Sequence, residues 1–377
     1  MIRVHVADIS VVTSLGDTLD VTWERLMAGD SAIRPVTRFA VSRLNRGMAA
    51  CMEGLELEGG GSLLGPLLDR LLTGFGPAPV ESRLIMATTK GAIDNLERVT
   101  RGISIGPKDL QFGELILGVA RRLGLADGGI NINAACVSST MALARGAALI
   151  AHGRAETVVV CCFDMMSEFV FSGFSALQGI SRGACRPFDR NRDGLTLGEG
   201  GAALLLVSEG RLRREGRSSL GTILGWGAAN DATHITAPAR DGSGLVQAVK
   251  QAMKTAGVDG GAFAAINAHG TGTVYNDLME LTAFRTLFGD HSIPIHTVKG
   301  AIGHTLGAAG GIETAVGLRS LAEGVIPPTV GFCNPEQGAE GLVSATPTVI
   351  TGEALLTTNS GFGGVNAALV LGKGKTG

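Results

Sequence analysis

The sequence has little charge and no surplus of either sign. Of its 377 residues 18% are charged, with 32 Lys plus Arg against 34 Asp plus Glu and a net charge of −2. Such a balance leaves no electrostatic footprint for nucleic acid. No run of 18 apolar residues occurs, so a membrane-spanning helix is not expected. Met1–Val6 reads as the start of a strand, because it lacks the apolar core and small-residue cleavage site of a signal peptide. The six cysteines contain no Cys-x-x-Cys pair, which argues against a zinc cage. Six in a chain of this length do not make a disulfide framework, and a reducing cytoplasm fits them best. The 57 glycines show no Gly-X-Y period, so collagen is excluded.

What is present is a large apolar fraction, 45% of the residues. Short apolar segments alternate with helix-length ones. Strands are expected at Arg83–Thr88, Gly129–Asn133, Thr157–Phe163 and Ala202–Val207. In the second half they are expected at Ser219–Gly227, Phe263–Ala268, Ile293–Thr297 and Ala367–Gly372. Thr157–Phe163 is apolar on both faces, as in a parallel sheet covered on both sides. The alternation points to an α/β architecture. A small-residue helix over Val137–His152 should be largely buried. The charged run Ser208–Ser218 is the best boundary, dividing the chain into residues 1–207 and 208–377.

Four polar or glycine-rich islands interrupt this pattern. In Asn131–Thr140 a strand runs into Cys136 and a helix starts at once. A thiol there meets unpaired N–H groups and the helix dipole, which favour a thiolate. The alternative is a buried structural cysteine. In Asn267–Asp277 a buried strand ends at His269, followed by a Gly/Thr loop, where open α/β sheets bind ligands. Thr297–Gly310 places Lys299 and His304 in a glycine-rich turn before a helix ending near Leu321. Asn359–Asn366 is a glycine turn between two strands; a strand follows rather than a helix, so it matches a dinucleotide fingerprint poorly. Each island alone also fits a structural role. Together, a Cys, two His and a Lys near strand ends suggest acyl chemistry: a thiolate holds an acyl group, neutral imidazoles donate to an enolate, and amides hold an oxyanion.

With Gly16–Ile33, Arg186–Gly194 and Gly198–Gly200, these islands make the whole chain resemble a β-ketoacyl-acyl-carrier-protein synthase (ketosynthase). The class is the decarboxylating Cys-His-His one of the thiolase superfamily, serving type II fatty-acid or polyketide synthesis. The resemblance implies a layered αβαβα fold of two similar halves with mixed five-stranded sheets. It implies that Cys136 accepts the acyl group and that His269 and His304 promote decarboxylation of malonyl carrier protein. Lys299 supports the second histidine. Thr271 and Thr273 hold the phosphopantetheine arm, and Phe362 is the gate, its amide joining that of Cys136 in an oxyanion hole. Asp277 and Glu313 organise the site. No metal or cofactor is implied, since the pantetheine belongs to the acyl carrier protein. A homodimer, or a heterodimer with a paralogous subunit, is implied too. Arg121-Arg122 and Arg211–Arg217 are candidate basic patches for an acidic carrier, although such runs are more commonly solvated faces.

The chain departs from this pattern in places. The stretch between Gly91 and Gly129 is shorter than in the housekeeping enzymes. Ser360 stands where a Phe is usual, or one residue is missing there. Val365 and Ala134 stand where Thr is common. These departures point to a specialised ketosynthase, polyene makers included. The alternative from another class is a non-catalytic partner subunit, a chain-length factor, which usually lacks the cysteine. A thiolase would need a second cysteine in the Asn359–Asn366 turn. Cys161 and Cys162 read as strand core. His234 is a candidate for a minor role near the channel, and Glu199 reads as a structural carboxylate.

Overall fold

Strands that are apolar on both faces must be covered on both faces. Thr157–Asp164 and Gly200–Ser208 are buried at every position. The structure, a computed structural model, describes residues 1–374 except 45, 56–60 and 290. In it these two strands belong to a set of five. In spatial order the set runs Val4–Thr13, Gly200–Ser208, Thr157–Asp164, Arg83–Ala87 and Ile130–Asn131. A second set runs Gly221–Asn230, Val365–Lys373, Ala354–Gly361, Phe263–Asn267 and Ile295–His296. In each set the first strand of the chain lies beside the last and antiparallel to it. The last pairs antiparallel with the fourth, and the fourth, second and third are parallel. The two sets therefore share one topology. They meet edge to edge where Val4, His5 and Val6 pair with Ile223, Thr222 and Gly221.

Two helices lie between the sets. Ser138–Ala151 and Ala309–Glu323 pack on strands of both, and their side chains share one core with Ile85, Leu204, Leu355 and Leu369. Their small residues permit close approach. A Cβ on Gly310 would lie 2.0 Å from Thr140 Oγ1, so only glycine fits at that crossing. Outside, Leu64–Thr73 and Phe112–Arg122 cover the first set. Ser243–Ala256 and Val274–Phe288 cover the second. The layers are αβαβα, as the resemblance implied. The first strand is longer than its sequence suggested and runs to Thr13.

The charged run after Ser208 forms the helix Glu209–Glu215 that joins the two sets. Its arginines are neutralised locally: Arg211, Arg213, Arg214 and Arg217 pair with Glu81, Glu156, Glu209 and Glu215. Arg121 and Arg122 likewise face Glu114 and Asp69. These runs are solvated faces rather than free basic patches. No helix among the described residues is long and apolar enough to cross a membrane.

Candidate active site

Parallel strands end on one side of a sheet, and their C-terminal ends are where side chains from distant segments converge. Ile130–Asn131 leads to Cys136, Phe263–Asn267 to His269, Ile295–His296 to Lys299 and His304, and Ala354–Gly361 to Phe362. Cys136, His269, His304, Thr271, Thr273 and Phe362 line one cleft of 390 Å³.

Cys136 is held by a tight turn. Ala135 before it has φ +51°, a left-handed conformation that costs a non-glycine residue energy. Ser138 Oγ donates to the Ala135 carbonyl at 2.5 Å and accepts from Ala134 N at 2.9 Å. Asn133 Oδ1 accepts from Ala135 N. The turn sets the thiol, 7% exposed, at the start of the central helix. The backbone N–H groups of Cys136 and Phe362 lie beside its sulfur and favour its charged form. The helix start alone does not deliver a thiolate, however. Burial pushes the thiol up to about 11, while the Lys299 charge and the two amides pull the other way. The sulfur lies deep in the shared middle layer, so desolvation wins.

The two histidines meet edge to face, with ring centroids 5.1 Å apart and planes at 87°. Burial, then the charge of Lys299, holds both well below the usual imidazole range, so both are neutral at pH 7. Neither ring nitrogen of His304 has a hydrogen-bond partner among the described residues. His269 is oriented by a chain of contacts. Lys299 Nζ pairs with Glu313 Oε1, both residues being 1% exposed. Glu313 Oε2 accepts from Asn359 Nδ2 at 2.7 Å, and the same nitrogen lies 3.2 Å from His269 Nδ1. A carboxylate only accepts, so the Asn359 nitrogen must face it. Thr140 donates to Asn359 Oδ1, which fixes the same orientation. His269 Nδ1 is thus an acceptor, and the ring proton sits on Nε2.

The loop after His269 is fixed from behind. Glu280 accepts from His269 N and Gly270 N, each at 2.7 Å. Burial and then the neighbouring Asp277 push its carboxyl up to about 7. Asp277 accepts from Phe188 N at 2.8 Å and Gly272 N at 3.3 Å, with Arg192 3.7 Å away. Thr271 and Thr273 share a hydroxyl–hydroxyl hydrogen bond of 2.9 Å on the cleft wall. Phe362 stacks on Phe174, with centroids 5.6 Å apart. Its turn is a short hairpin, with Gly361 opposite Val365, tied down by Gly363 N to Ile235 O and Asp231 N to Gly364 O. Among the described residues five that are not glycine have positive φ: Ala135, Gln178, Phe188, Ala232 and Leu306. All lie on or beside the loops of this cleft, where strain is commonly stored.

The structure brings Cys136, His269, His304, Thr271, Thr273 and Phe362 to the cleft and sets Lys299, Glu313 and Asp277 behind it. Sequence reasoning passed over Asn359, which it placed only at the edge of a turn, and Glu280, one helical turn after Asp277. Their signal was spacing alone. His234 lies outside the cleft lining, and its Nδ1 accepts from Thr236 N and Ala237 N. Glu199 is structural: it pairs with both terminal nitrogens of Arg38 and accepts from Met52 N and Met166 N.

Residues 118–210 match the family model "Beta-ketoacyl synthase, N-terminal domain", and 220–333 match "Beta-ketoacyl synthase, C-terminal domain". The 3-oxoacyl-acyl-carrier-protein synthase 2 of Synechocystis sp. is 30% identical over 98% of this chain and 98% of its own length. The chain belongs to the β-ketoacyl synthase family. This ketosynthase is also 34% identical to the tetracenomycin polyketide synthase ketoacyl synthase alpha subunit of Streptomyces glaucescens, over 65% of this chain and 60% of that one. A solved structure titled the ishigamide ketosynthase/chain length factor superposes with a TM-score of 0.90 at 25% identity, covering 99% of both chains. The shared fold is thiolase-like, and the enzyme class is that of acyltransferases.

Proposed function

We propose that this ketosynthase joins a Cys136-bound acyl group to malonyl carrier protein by decarboxylative Claisen condensation. The observation that carries the proposal is one cleft lined by a buried thiol, two neutral imidazoles and the Phe362 turn. In the first half-reaction the sulfur attacks the acyl thioester of a carrier-borne arm. The bond to the arm's sulfur breaks, and the arm leaves as a thiol with the proton from Cys136. In the second, malonyl carrier protein loses carbon dioxide. The electron pair left behind forms an enolate, to which neutral His N–H groups donate. Its carbon attacks the acyl carbonyl on Cys136. The carbonyl oxygen becomes an oxyanion facing the Cys136 and Phe362 amides, and its collapse expels the thiolate. The product is a β-ketoacyl carrier protein two carbons longer.

On this proposal the Lys299–Glu313–Asn359 chain fixes the protonation of His269, and Asp277 shapes the loop bearing Thr271 and Thr273, which hold the arm. The only prosthetic group needed is the carrier's phosphopantetheine. The acyl carrier protein is one partner. A second copy or a paralogous subunit is another, supported by Ile130, half exposed on the end strand of the first set. A reducing cytoplasm fits the six free cysteines. A partner subunit that only shapes a shared pocket would need neither the thiol nor the paired rings. Intact-protein mass spectrometry with acyl carrier proteins of varied chain length tests the proposal. The native chain should gain an acyl mass, then lose it as a longer carrier product appears on adding malonyl carrier protein. Cys136→Ala should gain none. Loading that persists in the variant, or no loading of the native chain by any donor, would sink the proposal.

A further inference from the structure

The wall of the cleft that begins at His269 climbs steadily from floor to mouth. His269 is 3% exposed and Thr271 5%, Thr273 is half-buried, and Tyr275 is 59% exposed. Tyr275 is the only tyrosine in the chain, and it lines the cleft. Over its ring lies the guanidinium of Arg240, 5.8 Å from the centroid. No carboxylate among the described residues forms an ion pair with Arg240. The next residue, Asp241, turns its carboxylate to Ser243 N. The two carboxylates that line the cleft among the described residues are also engaged: Asp193 accepts from Ser181 and Arg182 N, and Asp231 from Asn366 and Ala239 N. Arg240 is therefore an unneutralised cation at the mouth. Stacking on an aromatic face orients a guanidinium while leaving its edge N–H groups free, the geometry that grips a phosphate.

We infer that Arg240 and Tyr275 form an outer subsite that holds the phosphodiester of the carrier-borne phosphopantetheine arm. The inference rests on the ketosynthase proposal above and extends it to the far end of the arm. The wall then presents groups in the order the arm presents its own. The thioester lies at Cys136 and the histidines, the amides pass Thr271 and Thr273, and the phosphate reaches Arg240 at the rim. Tyr275 orients the guanidinium and covers the arm's apolar stretch.

The test compares thioester donors with and without the phosphate, reading acylation of Cys136 by mass. The native chain should react about tenfold faster, in kcat/KM, with acyl-phosphopantetheine than with acyl-pantetheine, as befits one charge-assisted contact. That preference should fall to about one in Arg240→Ala, survive in part in Arg240→Lys, and be intermediate in Tyr275→Leu. Added salt should erode it, because the contact is exposed. The same Arg240 dependence should appear with an acyl carrier protein as donor. A native preference near one, or a preference that persists in Arg240→Ala, would overturn the subsite while leaving the ketosynthase proposal intact. A dependence seen with acyl-phosphopantetheine and absent with the carrier would also overturn it. Failure of every donor to acylate Cys136 would overturn both.

Discussion

The two five-strand sets share strand order and direction, yet they are loaded differently. The first supplies one candidate reacting side chain, Cys136. The second supplies His269, Lys299, His304 and the Phe362 hairpin. Their end strands differ as well. Ile295 and His296 are each 1% exposed, because the segment ending at Val343 folds over them and Ile295 N donates to Leu342 O. The matching strand of the first set is bare, and Ile130 is 50% exposed. A repeated frame thus fixes where strands end but not what they end in. One set has its edge closed by its own chain, and the other leaves Ile130 exposed at its edge.

This contrast can be broken most sharply in the second set. Glu313→Gln leaves the Lys299 charge buried without its partner, and should cost about 4 kcal/mol of stability in urea unfolding. A loss below about 1 kcal/mol would mean that the pair is not the anchor it looks. Ile295→Lys puts a charge under the covering segment and should cost about 3 kcal/mol. The contribution of the first set is sharpened by the thiol. With Cys136 pushed up to about 11, its alkylation by iodoacetamide should rise about tenfold per pH unit from about pH 7 to about pH 10. The sign follows from desolvation, which favours the neutral thiol until hydroxide concentration overcomes it. A flat profile would mean that the helix start had won after all. The smallest effect belongs to the bare edge. Ile130→Lys should change unfolding stability by less than about 0.5 kcal/mol. Its consequence should instead be weaker self-association, or weaker pairing with a paralogous subunit, in sedimentation. Equal stability losses for the Ile130 and Ile295 substitutions would erase the difference between the two edges.

Much of the frame was legible in local pattern. Thr157–Asp164 declared itself by being apolar on both faces, and the small-residue helix was anticipated within one residue at each end, as Ser138–Ala151. The weak points were short strands. Ile130–Asn131 and Ile295–His296 have two residues each, too few for a period to show, so their expected ranges were too long. The candidate site was legible as residue types at strand ends, and its geometry was not. Nothing near Asn359 in the sequence says that it will lie between Glu313 and His269, since those contacts span 46 and 90 residues. The protonation of Cys136 was hidden for a related reason: the helix start is local and visible, whereas the burial that opposes a thiolate is made by both halves together.

The sequence by itself determined the alternation of strands and helices, the apolar middle layer, and the placing of Cys, His, Lys and Phe just past strand ends. Those follow from side-chain period and from glycine-rich turns, which act over a few residues. Only the tertiary structure decided that the histidines are neutral and meet edge to face, that one asparagine fixes a ring proton, and that Arg240 lies over Tyr275 at the mouth with no ion pair among the described residues. Protonation and pairing depend on what surrounds a group in space, and the surroundings here come from segments far apart in the chain.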